Sequence, residues 1–203
     1  MKNIITIPHT QSVHHTNGML GGWADWDLTK HGIKQAKRIG KNLARDIRDK
    51  KYIMYASDMP RAKQTAEIIA GFLGIKPIFT AALREINLGI ANGKPKAFAR
   101  EHNLGQPKTI DDKQYDGAES KRELWNRLAG FENEIMARPE ENIIVVSHGV
   151  SLGIFHALWL GLDVEMLNKC GLSGGSGGVS FMREDADEKR VIDRIGDHSF
   201  YYR

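Results

Sequence analysis

Hydrophobic and polar positions along this chain alternate between two spacings. Short runs rich in β-branched and aliphatic residues, typical of buried strands, lie at residues 4–7, 52–56, 75–79 and 143–146. Between and after them, segments with helical spacing of apolar residues cover residues 33–47, 62–73, 119–137 and 152–159. Strands and helices in alternation predict an α/β fold, a three-layer α/β/α sandwich whose central sheet is mostly parallel and covered on both faces.

Two segments follow neither spacing. Residues 83–118 are interrupted by glycine and proline, and predict an irregular excursion over the sheet edge that closes on the site. Residues 174–178 are glycine-rich but lack the lysine and the following helix of a phosphate-binding P-loop, so they predict a mobile turn. The total length of 203 residues suits one domain, residues 1–203.

Composition narrows the class of protein. The net charge of +4 is spread through the helical segments, which argues against nucleic acid as a partner. No run of about 18 apolar residues predicts a membrane span. The single cysteine, Cys170, excludes an internal disulfide framework, indicates a reducing, cytoplasmic setting, and is expected to be a buried small hydrophobic residue. The sequence leaves the oligomeric state open.

Side chains that could take part in catalysis or binding follow the predicted strands. His9 and His148 each end a run of β-branched residues, and parallel strands gather their ligands at their carboxyl ends. Arg61 opens the helix after the second strand, and Glu85 follows the third. One such residue would be unremarkable, but these four at four strand ends predict a common site.

The motifs around these residues resemble those of the histidine phosphatase superfamily, also called the phosphoglycerate mutase-like family. The resemblance covers nearly the whole chain and rests on the combination of segments. They are Gln11-Ser12, Asn17, Gly22-Trp23 and Asp27-Leu28-Thr29, then Ser57-Asp58 with Arg61-Ala62 and Gln64-Thr65-Ala66, then Leu83, Glu85, Gly89 and Gly93, then Gly117 with Glu119-Ser120, and finally Ser147-His148-Gly149.

The resemblance implies a phosphatase that hydrolyses small phosphomonoesters without a metal or another cofactor. His9 would attack phosphorus and carry the phosphoryl group as a phosphohistidine. Glu85 would donate a proton to the leaving alkoxide and then accept one from water. Arg61 and His148 would bind the phosphoryl oxygens, and Ser12 and Asn17 would add neutral hydrogen bonds to the substrate.

The first motif departs from the family pattern. The family has Arg-His-Gly where this chain has Pro8-His9-Thr10, so one charged oxygen-binding group is missing. Loss of one such donor is expected to slow turnover by about a hundredfold to a thousandfold. His14, His15 and Lys94 are candidates to replace the charge.

Two further readings remain open at this point. Pro8 favours a degenerate member that binds a phosphorylated ligand or a partner without turnover. Mutase activity is less favoured, because residues 86–118 lack an evident pair of arginines for a second acidic group of the substrate. Substrate specificity is expected to lie in residues 10–22 and 86–118.

Overall fold

The structure is a computed structural model, and it describes residues 1–202. The strands are β1 Asn3–Pro8, β2 Ile53–Ser57, β3 Pro77–Thr80, β4 Asn142–Ser147, β5 Val179–Glu184 and β6 Arg190–Asp197. The helices are α1 Lys30–Asp46, α2 Pro60–Leu73, α3 Lys96–Glu101, α4 Lys121–Ala137, α5 Gly149–Trp159 and α6 Ser199–Tyr202.

The six strands form one sheet in the order β3-β2-β4-β1-β5-β6. The first four are parallel to one another, whereas β5 runs antiparallel to β1 and β6 antiparallel to β5. The predicted α/β sandwich with a mostly parallel sheet is confirmed. Since β1 and β4 are neighbours in the centre, the histidines that follow them start from adjacent positions.

The central strands bury both faces, which explains their unbroken runs of apolar residues. Ile5 of β1 faces α1 and α2 in a core cluster that also contains Ile144 of β4. The alternate residues Ile4 and Ile143 face the opposite way, in a second cluster with α4 and α5. Because successive side chains of a strand point to opposite faces, one run of isoleucine and valine supplies both cores.

Local chemistry sets the helix starts. The Thr29 hydroxyl accepts a hydrogen bond from the backbone N–H of Gly32 at 3.0 Å and caps α1, as its position predicts. Ser120 and Glu123 exchange hydrogen bonds in a capping box at the start of α4. Ser57 and Asp58 are residue types that predict a helix N-cap before α2, but the N-cap residue is Met59, and Asp58 instead binds Arg84 at 2.6 Å.

The excursion at 83–118 contains short helical turns and a core of its own. Ala91, Ala99, Tyr115 and Ala118 are buried together, with Leu20 and Leu88 packed against them. The excursion therefore packs on the loop between β1 and α1. Among the described residues, no helix is long and apolar enough to cross a membrane.

Candidate functional site

The carboxyl ends of the parallel strands bring together the four residues singled out in the sequence. His9 follows β1, and His148 follows β4 and precedes α5; their ring centroids are 5.2 Å apart. Arg61 is the second residue of α2, and Glu85 lies beyond the turn after β3. His9, Arg61 and Glu85 line a cavity of about 570 Å³. His148 is fully buried behind His9 and contacts its ring.

The hydrogen bonds of His9 define which ring nitrogen is free. Its Nδ1 lies 2.8 Å from the carbonyl oxygen of Thr10, which can only accept, so we assign the proton to Nδ1. Its Nε2 accepts a hydrogen bond from Nε of Arg61 at 3.1 Å and therefore carries the lone pair. Burial, and then the Arg61 charge, hold the pKa of His9 well below its usual value. A neutral imidazole with an unprotonated Nε2 is the nucleophilic form once Arg61 releases the lone pair.

Arg61 is held by three acceptors at the bottom of the cavity. Besides His9, its guanidinium donates to the carbonyl oxygens of Gly22 at 2.8 Å and Ala24 at 2.9 Å. Burial lowers the pKa of Arg61 to about 10, which leaves it charged at neutral pH. Because a guanidinium carries more N–H groups than these acceptors occupy, Arg61 can also bind an anion.

His148 presents an unpaired nitrogen. Its Nε2 lies 2.8 Å from the Ser57 hydroxyl, which already accepts a hydrogen bond from the backbone N–H of Met59. We assign the Ser57 proton to the bond with Nε2 and the ring proton to Nδ1, the tautomer in which Nδ1 can donate to an anion. Nδ1 is buried without a partner, at a cost of about 1–3 kcal/mol that a bound anion would remove. Burial, and then Arg61, lower the pKa of His148, so this donor is neutral.

The Glu85 carboxylate lies at the first turn of α5. It accepts hydrogen bonds from the backbone N–H groups of Ile86, Val150 and Ser151, and a further one from the Ser151 hydroxyl, at 2.9–3.3 Å. The positive end of the helix dipole favours a negative charge at this position. The half-buried carboxylate faces the cavity across from His9, where it can exchange a proton with a bound ligand.

Arg127 of α4 organises the segment that carries Glu85, and sequence reasoning missed it. It donates to the carbonyl oxygens of Ala82, Arg84 and Glu85, and it pairs with Glu119 at 2.8 Å. The sequence contains one indication of this role, because Arg127 lies at helical spacing among the apolar residues of α4 that face the core. Trp23 adds a second constraint, since its indole N–H donates to the Glu85 carbonyl at 2.6 Å.

Ser12 and Asn17, predicted to bind substrate, do not line the cavity. Ser12 is buried behind two histidines: its hydroxyl bonds His14 Nδ1 at 2.7 Å, and its backbone N–H donates to His15 Nδ1 at 3.2 Å. Asn17 is exposed and accepts from the backbone N–H of Met19 in a local turn. The short helical turn at Val13–His15 places the two histidines, rather than Asn17, beside His9.

His14 and His15 do not replace the missing arginine charge. Their rings lie 5.7 and 5.4 Å from that of His9. Burial, and then His15 and Arg61, lower the pKa of His14 to about 3, and burial and then Arg61 also lower that of His15. Both are therefore neutral at pH 7. Lys94 is exposed, lies over the Phe98 ring at 5.6 Å and is not part of the cavity wall.

The same three imidazoles form a cluster with the composition of a metal site. His9, His14 and His15 offer nitrogen atoms that lie within 4.8 Å of one another. However, the Arg61 guanidinium already donates to Nε2 of His9, and the Ser12 N–H to Nδ1 of His15. A cation here would meet a fixed positive charge and a fixed donor, so this donor set fits a metal ion poorly.

Pro8 and Thr10, which flank His9, have different surroundings. Pro8 lines the cavity, whereas Thr10 does not. The Thr10 hydroxyl donates to the carbonyl oxygen of Gly32 at 2.9 Å, so it points towards α1 and leaves the cavity open. The glycine-rich segment also contacts this motif, because Ser176 donates to the carbonyl oxygen of His9 at 2.7 Å.

Cys170 is exposed and lines the cavity, so the expectation of a buried cysteine is wrong. It follows the short helical turn Val164–Asn168, and the buried side chain of this turn is Leu167.

Comparisons with known proteins find similar proteins over nearly the whole chain. Residues 4–197 match the family model described as the histidine phosphatase superfamily, branch 1. A relative from Hydrogenobacter thermophilus, named phosphoserine phosphatase 1, is 28% identical over 194 residues, which are 91% of this chain and 88% of the relative. A relative from Erwinia tasmaniensis, named probable phosphoglycerate mutase, is 27% identical over 85% of this chain and 84% of its own. Among solved structures, a mycobacterial glucosyl-3-phosphoglycerate phosphatase superimposes with a TM-score of 0.81 at 20% identity, covering 97% of this chain and all of its own (100%).

Proposed function

Because the chain belongs to the histidine phosphatase superfamily, we propose that it hydrolyses small phosphomonoesters through a phosphohistidine on His9. The enzyme class is phosphoric monoester hydrolase, which the family and the phosphatase names of the relatives support. The observation that carries the proposed mechanism is the pair of hydrogen bonds that His9 makes. Its Nδ1 lies 2.8 Å from a backbone carbonyl, and its Nε2 accepts from Arg61, which lines the cavity together with His9.

The proposed reaction proceeds in two displacements. Nε2 of His9 attacks phosphorus, and the P–O bond to the alcohol breaks as Glu85, in its protonated form, gives the alkoxide its proton. The resulting Glu85 carboxylate then takes a proton from water, whose oxygen attacks the phosphohistidine and releases inorganic phosphate and free His9. Each cycle thus restores both the neutral imidazole and the protonated acid.

Arg61 and the Nδ1–H group of His148 hold the phosphoryl oxygens during both steps. Arg61 must transfer its Nε hydrogen bond from His9 to a phosphoryl oxygen when the nucleophile reacts. This exchange puts a charged donor at the position where negative charge develops, without moving the other two guanidinium contacts.

A second candidate function is binding of a phosphorylated ligand without turnover. Pro8 favours it, since a ring without a charge lines the cavity where the family has an arginine. Mutase activity remains the least favoured reading, because Lys121 is the one cation besides Arg61 among the described cavity-lining residues. The cytoplasmic setting and the absence of a nucleic-acid partner stay proposals that rest on the single cysteine and the dispersed charge.

Turnover of an aryl phosphate in EDTA, with acid-free quenching to trap radiolabelled phosphoprotein, tests the proposal. We expect hydrolysis in chelator, a labelled chain, and loss of both in His9→Ala. His31→Ala, which changes an exposed histidine of α1, is the matched control. Turnover that requires an added metal ion, or that survives in His9→Ala, would overturn the mechanism. Binding of inorganic phosphate without any turnover would favour the second candidate.

A further inference from the structure

The cavity is lined by two chemically different sets of side chains. The polar set includes His9, Arg61 and Glu85, and the other set is a wall of aliphatic side chains. We propose that the alcohol portion of the substrate is apolar and uncharged, so that the enzyme prefers phosphomonoesters of hydrophobic alcohols over those of hydroxy acids. This inference rests on the proposed function and names the substrate class of the same site.

The aliphatic wall comes from four separate segments of the chain. Its members are Ile86, Leu88, Val150, Ile154, Leu167 and Leu172. They come from the excursion, from α5, from the turn at Val164–Asn168 and from the segment that leads to β5. Segments distant in sequence thus converge on one apolar cavity wall. Ile86, Ile154, Leu167 and Leu172 also pack in or against the core cluster with α4 and α5, which holds this wall in place.

The wall lies on the side of Glu85, which is where a leaving group must be. Ile86 follows Glu85 directly, and the backbone N–H of Val150 donates to the Glu85 carboxylate at 3.3 Å. Because Glu85 is the proposed proton donor to the departing oxygen, the carbon atoms attached to that oxygen are placed against Ile86 and Val150. The leaving alcohol therefore contacts aliphatic groups first.

Charges around the cavity disfavour a second acidic group on the substrate. Glu85 offers no cationic partner to a carboxylate placed beside it. Two nearby arginines are already paired, Arg84 with Asp58 at 2.6 Å and Arg127 with Glu119 at 2.8 Å. Lys121 remains, but it is exposed at the start of α4, where attraction to an anion is weakened by solvent.

The backbone keeps the aliphatic wall in place. A side chain at Gly153 of α5 would put its Cβ 2.2 Å from the carbonyl oxygen of Leu172. Glycine at this position thus allows residues 171–173 to lie directly on α5 and brings Leu172 to the cavity. The volume of about 570 Å³ is in the range of small-molecule sites and far exceeds what a phosphoryl group alone needs.

Calorimetric titration with n-alkylphosphonates tests this preference, because these compounds carry the anionic group but have no ester bond to hydrolyse. From ethyl- to hexylphosphonate we expect affinity to rise by about twofold to fourfold for each added methylene, as burial of aliphatic surface requires. Butylphosphonate should bind more tightly than 2-carboxyethylphosphonate. A flat series, tighter binding of the carboxylate compound, or no binding by any phosphonate would overturn the inference.

A matched pair of variants assigns the effect to the wall. Leu172 and Leu162 are both partly buried against the same core cluster, but only Leu172 lines the cavity. Leu172→Asn should weaken hexylphosphonate at least fivefold and leave methylphosphonate unchanged, whereas Leu162→Asn should leave both unchanged. Equal losses in the two variants would overturn the assignment. If Leu172→Asn does not fold, the wild-type series decides.

The turnover assay with His9→Ala is independent of these binding measurements. A graded phosphonate series without turnover would therefore refute the proposed hydrolysis and leave the substrate preference standing.

Discussion

Nε of Arg61 donates a hydrogen bond to Nε2 of His9 over 3.1 Å, so a buried cation is joined to the nitrogen proposed to attack phosphorus. An imidazolium at this position would have no lone pair to accept the bond and would face a positive charge. The contact therefore favours the neutral form of His9. In the proposed reaction, Arg61 keeps Nε2 unprotonated, and its hydrogen bond to Nε2 must break before that nitrogen attacks phosphorus.

The first prediction concerns the protonation of His9 in the free protein. Because burial and Arg61 lower its pKa well below 6.5, we expect its ring resonances, followed by NMR, to show no titration between pH 8 and pH 6.5. Arg61→Met removes the charge and should raise the pKa of His9. Assignment uses the spectrum of His9→Asn. A titration midpoint at or above 6.5 in the parent protein would contradict the assigned state of the site.

Restoring the family arginine is the second prediction. Pro8→Arg places a guanidinium at the cavity and should raise kcat/KM for an aryl phosphate by about tenfold or more, since a well-placed charged hydrogen bond contributes about 1.5–3 kcal/mol. Pro8→Met, of similar length but uncharged, is the control. Equal activity of the two variants would mean that the lost charge does not limit turnover.

Thr10 should be left unchanged in that experiment. Thr10→Gly removes the hydrogen bond to the buried Gly32 carbonyl and should lower the free energy of unfolding by about 1–3 kcal/mol. We therefore expect Pro8→Arg alone to be more stable in urea than Pro8→Arg with Thr10→Gly. If the double variant were as stable as the single one, the Thr10 hydroxyl would be contributing nothing.

Arg127 is predicted to act as a positioning residue for Glu85. Arg127→Gln loses the contacts with three backbone carbonyls and with Glu119, so kcat should fall by tenfold or more while KM changes little. Arg122→Gln is the matched control, because Arg122 lies on the same helix but forms exposed ion pairs that contribute about 0–1 kcal/mol. Partial recovery in Arg127→Lys would separate positioning from a general loss of stability. A wild-type kcat in Arg127→Gln would refute the role.

The buried His156 makes stability depend on pH. It lies away from the cavity on α5, where its Nε2 bonds Thr6 at 2.8 Å and burial lowers its pKa to about 4. The unfolded chain binds a proton near pH 6.5 while the folded chain does not, so the free energy of unfolding falls as the pH falls from 6.5 towards 4. His156→Gln should reduce this slope by up to about 1.4 kcal/mol per pH unit. Urea unfolding at pH 7, 6 and 5 measures the free energy of unfolding. The same dependence on pH in the parent protein and in His156→Gln would contradict the prediction.

Much of the fold follows from local patterns in the sequence. Runs such as 4–7 and 143–146 predicted the central strands, and Thr29 predicted the start of a helix, because these depend on side chains only a few residues apart. The position of His9 beside His148 also followed, since parallel neighbouring strands end at one edge.

What the sequence could not supply were the contacts between distant segments. Asp58 was expected to cap a helix but binds Arg84 of the excursion instead. Asn17 and His15 are equally polar in sequence, and only the turn at Val13–His15 decides which of them lies next to His9. The protonation states of the histidines likewise depend on burial by elements far along the chain.

The attachment of the first strand to the last part of the chain has a consequence for biosynthesis. The carbonyl of Pro8 accepts a hydrogen bond from the backbone N–H of Gly177, and the Ser176 hydroxyl donates to the carbonyl of His9, so His9 is held by partners that are synthesised long after it. A nascent chain that has emerged only as far as α5 can hold much of the sheet, but it lacks these anchors. The proposed site should therefore become fully ordered only after the glycine-rich segment has packed against the end of β1.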